Sequence, residues 1–186
     1  MDEKEFRDKL IEWDKASLDR RVERWKQLVP ATYDVTLPSL AWYYIVEADD
    51  MFIRGHFIGV ILLCAAIAEL ILADQIRSKS QMTEREAERF GLEQLVILGH
   101  RLDILNDKET GQLNELRRLR NDLIHSKAEK LAKMARKRYR VSGLDASHLD
   151  AGFYLQPIWE GGIDQDALRH LQLVRDLTVK FYGAKP

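Results

Sequence analysis

Cysteine is almost absent from this chain of 186 residues: Cys64 is the single thiol, and it lies in the most apolar stretch. One cysteine forms no intramolecular disulfide, which excludes a disulfide-stabilised secreted fold and paired-cysteine metal sites. A thiol in such a stretch is typical of a small buried hydrophobe in a reducing compartment. The cysteine content therefore predicts a cytoplasmic protein.

A charge excess of either sign is also missing, because 29 Lys and Arg residues stand against 30 Asp and Glu residues. The molecule as a whole is not a polycation, so any affinity for nucleic acid or anionic lipid must be local. The first residues are charged from the second position, which is unlike a signal peptide. The charge-free run over residues 57–68 is shorter than the roughly 20 residues that span a bilayer. We expect a globular protein that does not enter membranes.

The signatures of common enzymes are missing as well. The chain has no H-E-x-x-H, no paired C-x-x-C, no glycine-rich phosphate loop, no G-x-S-x-G and no calcium loop. Asp145, His148 and Asp150 have a spacing that could hold a metal ion, but such spacing arises easily by chance in a polar loop. We interpret that segment as a solvated loop and predict neither a metal site nor a cofactor.

Helical periodicity accounts for most of what is present. Apolar residues recur every three or four positions over residues 3–29, and Pro30 ends this pattern. Pro38 is predicted to be the first residue of a second helix. Gly55 is predicted to separate that helix from an apolar helix that ends near Ser78.

The second half of the chain continues the helical pattern with one interruption. Thr83 and Glu86 predict a capping box at the start of the next helix. A further helix is predicted from about residue 109 to about residue 140, a long loop or irregular hairpin over 142–163, and a last helix over 164–182. We therefore predict one all-α domain over residues 1–186, a bundle of about six helices with an added N-terminal helix and a long loop before the last helix.

One helix carries polar residues that an ordinary bundle helix does not need. Its apolar stripe consists of Leu113, Leu116, Leu119 and Leu123. Arg120 lies about 40° from the centre of this stripe, Asn121 about 140° away, and His125 on the far side. Asn121 and His125 share a face, but Arg120 does not lie on it. A site that uses all three therefore requires a second copy of the helix, as in a two-fold symmetric homodimer.

The hexapeptide RNDLIH, from Arg120 to His125, resembles the R-x-x-x-x-H motif of the HEPN (higher eukaryotes and prokaryotes nucleotide-binding) superfamily. The segments RGHFIGVILLCAAIAELIL, LGHRLDIL and LNELRRLRNDLIH resemble the helical core of these proteins over residues 40–140. In this comparison the motif lies on the fourth core helix and follows an apolar helix that ends in a lone glutamate, Glu69. The resemblance implies an up-and-down HEPN-like core.

The resemblance also implies a function. HEPN proteins with an intact motif are mostly metal-independent endoribonucleases that work as dimers, with residues of both chains in one cleft. It implies that His125 acts as general base or acid on the ribose 2′-hydroxyl, that Arg120 holds the scissile phosphate, and that Asn121 orients one of the two. Some HEPN toxins carry a tyrosine two residues beyond the histidine, and Lys127 occupies that place here. A toxin or defence role is expected without regulation through that tyrosine.

A structural interpretation of the same residues stays open, with Arg120 as an ion-pair partner inside the fold and His125 as a solvated helix residue. Glu69 is the partner predicted for Arg120. It is the only charge between Arg54 and Asp74, and a carboxylate among apolar neighbours needs a cation or several hydrogen-bond donors. Both interpretations predict this pair.

A basic stripe follows the motif on the same predicted helix: Lys127, Lys130, Lys133, Lys137 and Arg140 recur at intervals of three or four. Such a stripe is suited to an RNA backbone that approaches the motif. The alternative is a solvated basic face, since cations near a helix carboxyl end are favoured by the dipole. The stripe is predicted to bind RNA.

A binding module is the second interpretation of the whole chain, in which the fold binds a nucleotide or a regulatory partner protein without cleaving RNA. Five aromatic residues offer apolar surface for such a partner or for a dimer mate: Trp13, Trp25, Phe153, Tyr154 and Trp159. Aromatic side chains also commonly pack on their own bundle, and that alternative stays open.

Overall fold

Seven α-helices and no strand make up the part of the chain that the structure, a computed structural model, describes: residues 3–28, 39–80, 82–87, 89–125 and 155–183. The helices are α1 (Glu3–Leu28), α2 (Ser39–Arg54), α3 (Phe57–Ser80), α4 (Glu84–Ala87), α5 (Leu92–Arg101), α6 (Asp107–His125) and α7 (Leu155–Tyr182). The predicted all-α bundle is confirmed.

The apolar helix α3 forms the centre of the bundle. Helices α2, α5, α6 and α7 all pack against it, and Ile61, Ile67 and Ile71 are fully buried. Among the described helices, α3 alone is long and apolar enough to cross a membrane by length and composition. The charge-free run over residues 57–68 is short, but the helix continues beyond Glu69 to Ser80, so helix length alone does not distinguish a core helix from a membrane span. Its burial between four other helices is typical of the core helix of a globular protein.

The turn between α2 and α3 confirms the predicted role of Gly55. This residue has φ +85°, a conformation that side chains with a Cβ rarely adopt. The Arg24 guanidinium lies 2.7 Å from the position a Cβ would take. Glycine is therefore required by the backbone conformation, whereas the flexible Arg24 side chain could move aside for a Cβ.

The predicted capping box of Thr83 and Glu86 is confirmed, and the helix that it begins is short. The Glu86 carboxylate accepts hydrogen bonds from the Thr83 backbone N–H at 2.9 Å and from its hydroxyl at 2.7 Å, and these bonds lower the pKa of Glu86. The helix α4 that they begin contains four residues. The chain then turns at Arg89 and starts α5 after Gly91.

The last helix begins earlier than predicted. It was predicted to start at residue 164, yet α7 starts at Leu155, so residues 155–163 are helical rather than part of a loop. Pro157 is compatible with this start because it lies in the first turn, where its missing N–H is not needed. The rest of the predicted loop, and the predicted continuation of α6 to Arg140, lie outside the described residues.

Three ion pairs attach α7 to the helices around it. Arg169 pairs with Glu115 at 2.8 Å, and Lys180 pairs with Glu109 at 2.7 Å, so the middle and the C-terminal end of α7 are joined to α6. Lys180 also donates a hydrogen bond to the carbonyl of Ile104, just before α6, at 3.0 Å. The third pair, Arg175 with Asp49 at 2.5 Å, joins α7 to α2. Helix α6, which carries the RNDLIH motif, is thus held on α7 as well as on α3.

Candidate functional site

The burial of α6 follows the angular pattern of its sequence. Leu113 and Leu116 are buried, and Leu119 and Leu123 pack against the core from a partly buried position. The predicted apolar stripe is confirmed. His125 is exposed at the end of the described part of α6, as expected for a residue opposite that stripe.

Arg120 and Glu69 meet at the interface of α6 and α3, as predicted. Arg120 Nη1 lies 3.9 Å from Glu69 Oε1, at the long end of the ion-pair range. The side chains are 35% and 29% exposed respectively. Because solvent reaches both groups, the pair contributes about 1 kcal/mol or less. The predicted contact is confirmed, but Glu69 is not the fully enclosed carboxylate that its apolar neighbours indicated.

The closer partner of Glu69 is the N-terminus of α5. Its Oε1 atom accepts a hydrogen bond from the Leu92 backbone N–H at 3.1 Å. The N-cap residue, Gly91, has no side chain with which to satisfy the first amide groups of the helix. Glu69 supplies the missing acceptor from α3, and its negative charge is favoured at this end of the helix dipole. Gln94 completes the cap by accepting from the Gly91 N–H at 3.1 Å.

A second arginine of α6 reaches the same turn of α5. Arg117 Nη1 pairs with Glu93 Oε2 at 3.0 Å, and Arg117 is the more buried partner. This contact was missed from the sequence, since it depends on the tertiary arrangement of α5 and α6. Gly91 and Glu93 were the available signals: a helix start without its own cap, followed by an acid.

An open cavity of about 290 Å³ lies beside Glu69, between α2, α3 and the start of α5. Apart from Glu69, the residues that line this cavity are aliphatic or aromatic, and they include Tyr44, Phe90 and Leu95. Glu69 therefore contacts both the motif arginine and a solvent-accessible apolar surface.

The structure brings together only some of the predicted site residues. Arg120 lies beside Glu69, and Asn121 is half-buried on the next position of α6, whereas His125 points to solvent. The RNA-binding candidates Lys127, Lys130, Lys133, Lys137 and Arg140 lie outside the described residues.

Other candidates from the sequence have mixed outcomes. Asp145, His148 and Asp150 lie outside the described residues, and the described residues contain no cluster of three His, Cys, Asp or Glu side chains. Trp25 is exposed rather than packed on the bundle. Of the remaining aromatic candidates, Phe153 and Tyr154 lie outside the described residues, and the structure describes no side chain at Trp13 or Trp159.

Comparison of the chain with models of known protein families, with curated proteins and with solved structures gives no significant match.

Proposed function

We propose that this chain is a HEPN-like, metal-independent endoribonuclease that acts as a homodimer. The observation that carries the proposal is the position of Arg120. Glu69 lies beside its guanidinium, and the Arg120 side chain is about one-third exposed and so remains accessible to a ligand. A guanidinium placed in this way offers two parallel N–H donors to phosphate oxygens.

The proposed reaction is attack of the ribose 2′-oxygen on the adjacent phosphorus. His125 accepts the proton of the 2′-hydroxyl as the new O–P bond forms, and Arg120 stabilises the charge on the phosphoryl oxygens. The bond from phosphorus to the 5′-oxygen breaks, and that oxygen takes up a proton from an imidazolium. The products are a 2′,3′-cyclic phosphate and a 5′-hydroxyl. Asn121 orients the phosphate or the imidazole by hydrogen bonding.

The geometry of α6 supports the proposed homodimer. Arg120 lies towards α3, whereas His125 is exposed on the other side of the helix, so one α6 does not present both to one phosphate. A second α6 related by a two-fold axis completes the set. We propose further that Lys127, Lys130, Lys133, Lys137 and Arg140 contact the RNA backbone, and that the protein acts in the cytoplasm within a toxin or defence system.

Incubation of the purified protein with structured RNA in the presence of a chelator tests the proposal. We expect cleavage that leaves cyclic phosphate ends and stops when the ribose at the cut site lacks its 2′-hydroxyl. Loss of an acid–base group typically costs about 10²- to 10⁴-fold in rate, so His125→Ala should reduce cleavage by that range. Undiminished cleavage by His125→Ala, or cleavage abolished by the chelator, would contradict the assignment.

Two matched variants control for general damage to the fold. His56→Ala removes an exposed histidine from the turn before α3, and Arg118→Ala removes an exposed arginine from α6 itself. Both should cleave like the parent protein, whereas Arg120→Ala should not.

The alternative is a nucleotide- or partner-binding module without cleavage. The contact between Glu69 and Arg120 favours it equally, because an ion pair between α3 and α6 is also what a purely structural arginine requires. Tight binding of RNA that stays uncleaved, reduced by Arg120→Ala and unchanged by His125→Ala, would support this alternative.

A further inference from the structure

Helix α1 is attached to the bundle near its C-terminal end. The Arg24 guanidinium donates a hydrogen bond to the Ile53 carbonyl at 3.3 Å and lies over the Phe57 ring, 4.9 Å from its centroid. Leu28 is buried, and its carbonyl accepts a hydrogen bond from Arg175 at 3.3 Å. Among the described side chains of residues 4–23, all are exposed except Ser17, which is half-buried.

The exposed part of α1 carries an apolar stripe. Ile11, Leu18 and Trp25 are spaced by seven residues, and Val22 lies four residues after Leu18. At about 100° per residue these four side chains fall within about 60° of one another. Their exposed fractions are 61%, 57%, 53% and 41% in the order named. Spacing by seven and four is the pattern of a helix that packs along another helix.

The charges beside the stripe indicate which helix that is. Asp14 and Arg21 lie on the same side of the apolar stripe, seven residues apart. In a two-fold antiparallel pair of α1 helices the symmetry axis passes between these two positions, so Asp14 of each copy faces Arg21 of the other copy. Two attractive contacts follow by symmetry. Ile11 then packs beside Val22 of the second copy, and Leu18 lies next to the axis.

The parallel arrangement brings like charges together instead. In a parallel pair, a residue on one side of the apolar stripe of the first helix faces a residue of the second helix that is five positions later in the sequence and lies on the other side of its stripe. Asp14 would face Asp19 of the second copy, and Arg21 would face Lys26, so both contacts repel. Asp14, Asp19, Arg21 and Lys26 therefore favour antiparallel self-pairing.

We infer that the α1 stripe is the surface through which two copies of this chain associate, with the two helices antiparallel. This inference rests on the homodimer of the proposed function and is independent of the nuclease activity.

Charge reversal tests the pairing, with molar mass from light scattering as the measurement. Asp14→Arg and Arg21→Asp should each raise the dissociation constant of the dimer at least tenfold, and the double variant should restore it, because both contacts become attractive again. Leu18→Glu should give a monomer. Arg20→Asp, a charge reversal on the opposite face of α1, should leave the parent mass unchanged.

Engineered thiols test the direction. Cys64 is fully buried, so an introduced cysteine is the accessible thiol for cross-linking. A mixture of Ile11→Cys and Val22→Cys chains should form a disulfide-linked dimer under mild oxidation, and Ile11→Cys alone should not.

Three results would overturn the inference: a monomeric parent protein, a Leu18→Glu variant that stays dimeric, or a double charge reversal that fails to restore the dimer. Self-cross-linking of Ile11→Cys alone would refute the antiparallel direction. Circular dichroism of Leu18→Glu should retain the helical signal and the melting temperature of a parent sample diluted to monomer. The RNA assay is a separate measurement, so a parent that dimerises through α1 but does not cleave RNA contradicts the proposed function alone.

Discussion

His170 is a titratable side chain enclosed in the core of the bundle. It is only 1% exposed, and neither ring nitrogen has a hydrogen-bond partner among the described residues. Burial lowers the pKa of His170, and the positive charge of Arg169 lowers it further, while Glu115 and Asp166 act in the opposite direction. The folded protein therefore holds this imidazole neutral.

The stability of the protein depends on pH because His170 takes up a proton at different pH values in the folded and the unfolded chain. Because the folded pKa of His170 lies below 6.5, the unfolded chain is protonated before the folded chain as the pH falls. This side chain's stability contribution is thus complete above pH 6.5 and is lost as the pH falls towards the folded pKa. One group changes the free energy of unfolding by at most about 1.4 kcal/mol per pH unit.

Replacement of His170 by leucine should remove that pH dependence. We expect His170→Leu to be more stable than the parent by roughly 1 kcal/mol at pH 7, because two unsatisfied buried nitrogens are replaced by methyl groups. The difference should grow at pH 5.5. Urea denaturation of both proteins at the two pH values measures it, with His56→Ala as a control for an exposed histidine. A constant difference between the two curves would contradict this account.

The surroundings of Glu69 could be predicted only in part from its neighbours in the sequence. A lone carboxylate in an apolar run indicated a buried charge that needs a partner, and the partner Arg120 was correctly identified. The nearer partner, the Leu92 N–H, could not be predicted because a backbone donor has no signature in the sequence. Exposure of the carboxylate likewise depends on how α2 and α5 are placed around the cavity.

At the scale of the element, α5 depends on an acceptor from another helix for its N-terminal cap. Glu69→Gln removes the charge next to the helix dipole and next to Arg120, and we expect a loss of about 1 kcal/mol in the free energy of unfolding. We expect cleavage of RNA to weaken as well, because the guanidinium loses its neighbouring carboxylate. Chemical denaturation and the RNA assay measure the two effects.

A serine at the N-cap position of α5 separates the effect of Glu69→Gln on stability from its effect on cleavage. Gly91 has φ −78° and ψ 169°, and nothing lies within 4 Å of a Cβ added there, so serine fits without strain. Gly91→Ser should stabilise the protein by a few tenths of a kcal/mol and should recover stability in the Glu69→Gln background. Cleavage should not recover, because the position of Arg120 stays unsupported. Joint recovery of stability and cleavage would show that Glu69 acts only through the fold.

Element boundaries were predicted best where local chemistry decides them. The end of α1 before Pro30 and the break at Gly55 depend on backbone conformation alone, and both are seen at the expected places. The start of α7 was missed because Gly161 and Gly162 indicated a loop. Each glycine costs a helix about 1 kcal/mol, and burial of residues such as Ile163 later in the same helix offsets this cost.

At the scale of the whole molecule, light scattering should give twice the 21.7 kDa chain mass. In the proposed nuclease, the separation of Arg120 from His125 requires a second chain for a complete site, and the exposed stripe of α1 is the surface that we infer joins two chains. A monomer at high concentration would contradict both the composite site and the pairing. A mass of four chains would indicate that α1 and α6 form separate two-fold interfaces.

The all-α class was predictable because helical periodicity is a local property of the sequence. The exposure of α1 was not. Its residues repeat at helical spacing whether the apolar face is covered by its own bundle or by another molecule, so Trp25 carried no signal of its exposure. Only the placement of α1, joined to the bundle by Arg24 and Leu28, distinguishes the two cases.

The labelling rate of the single cysteine, Cys64, measures how often the core of the protein opens. Cys64 is fully buried on α3, and burial raises the pKa of its thiol, so a thiol reagent cannot react with it in the closed state. Labelling must wait for a fluctuation that separates the helices around α3. We expect labelling on the order of a thousandfold or more slower than in the denatured chain, at a rate set by the free energy of that opening. Rapid labelling of the native protein would show that the core around α3 opens without global unfolding.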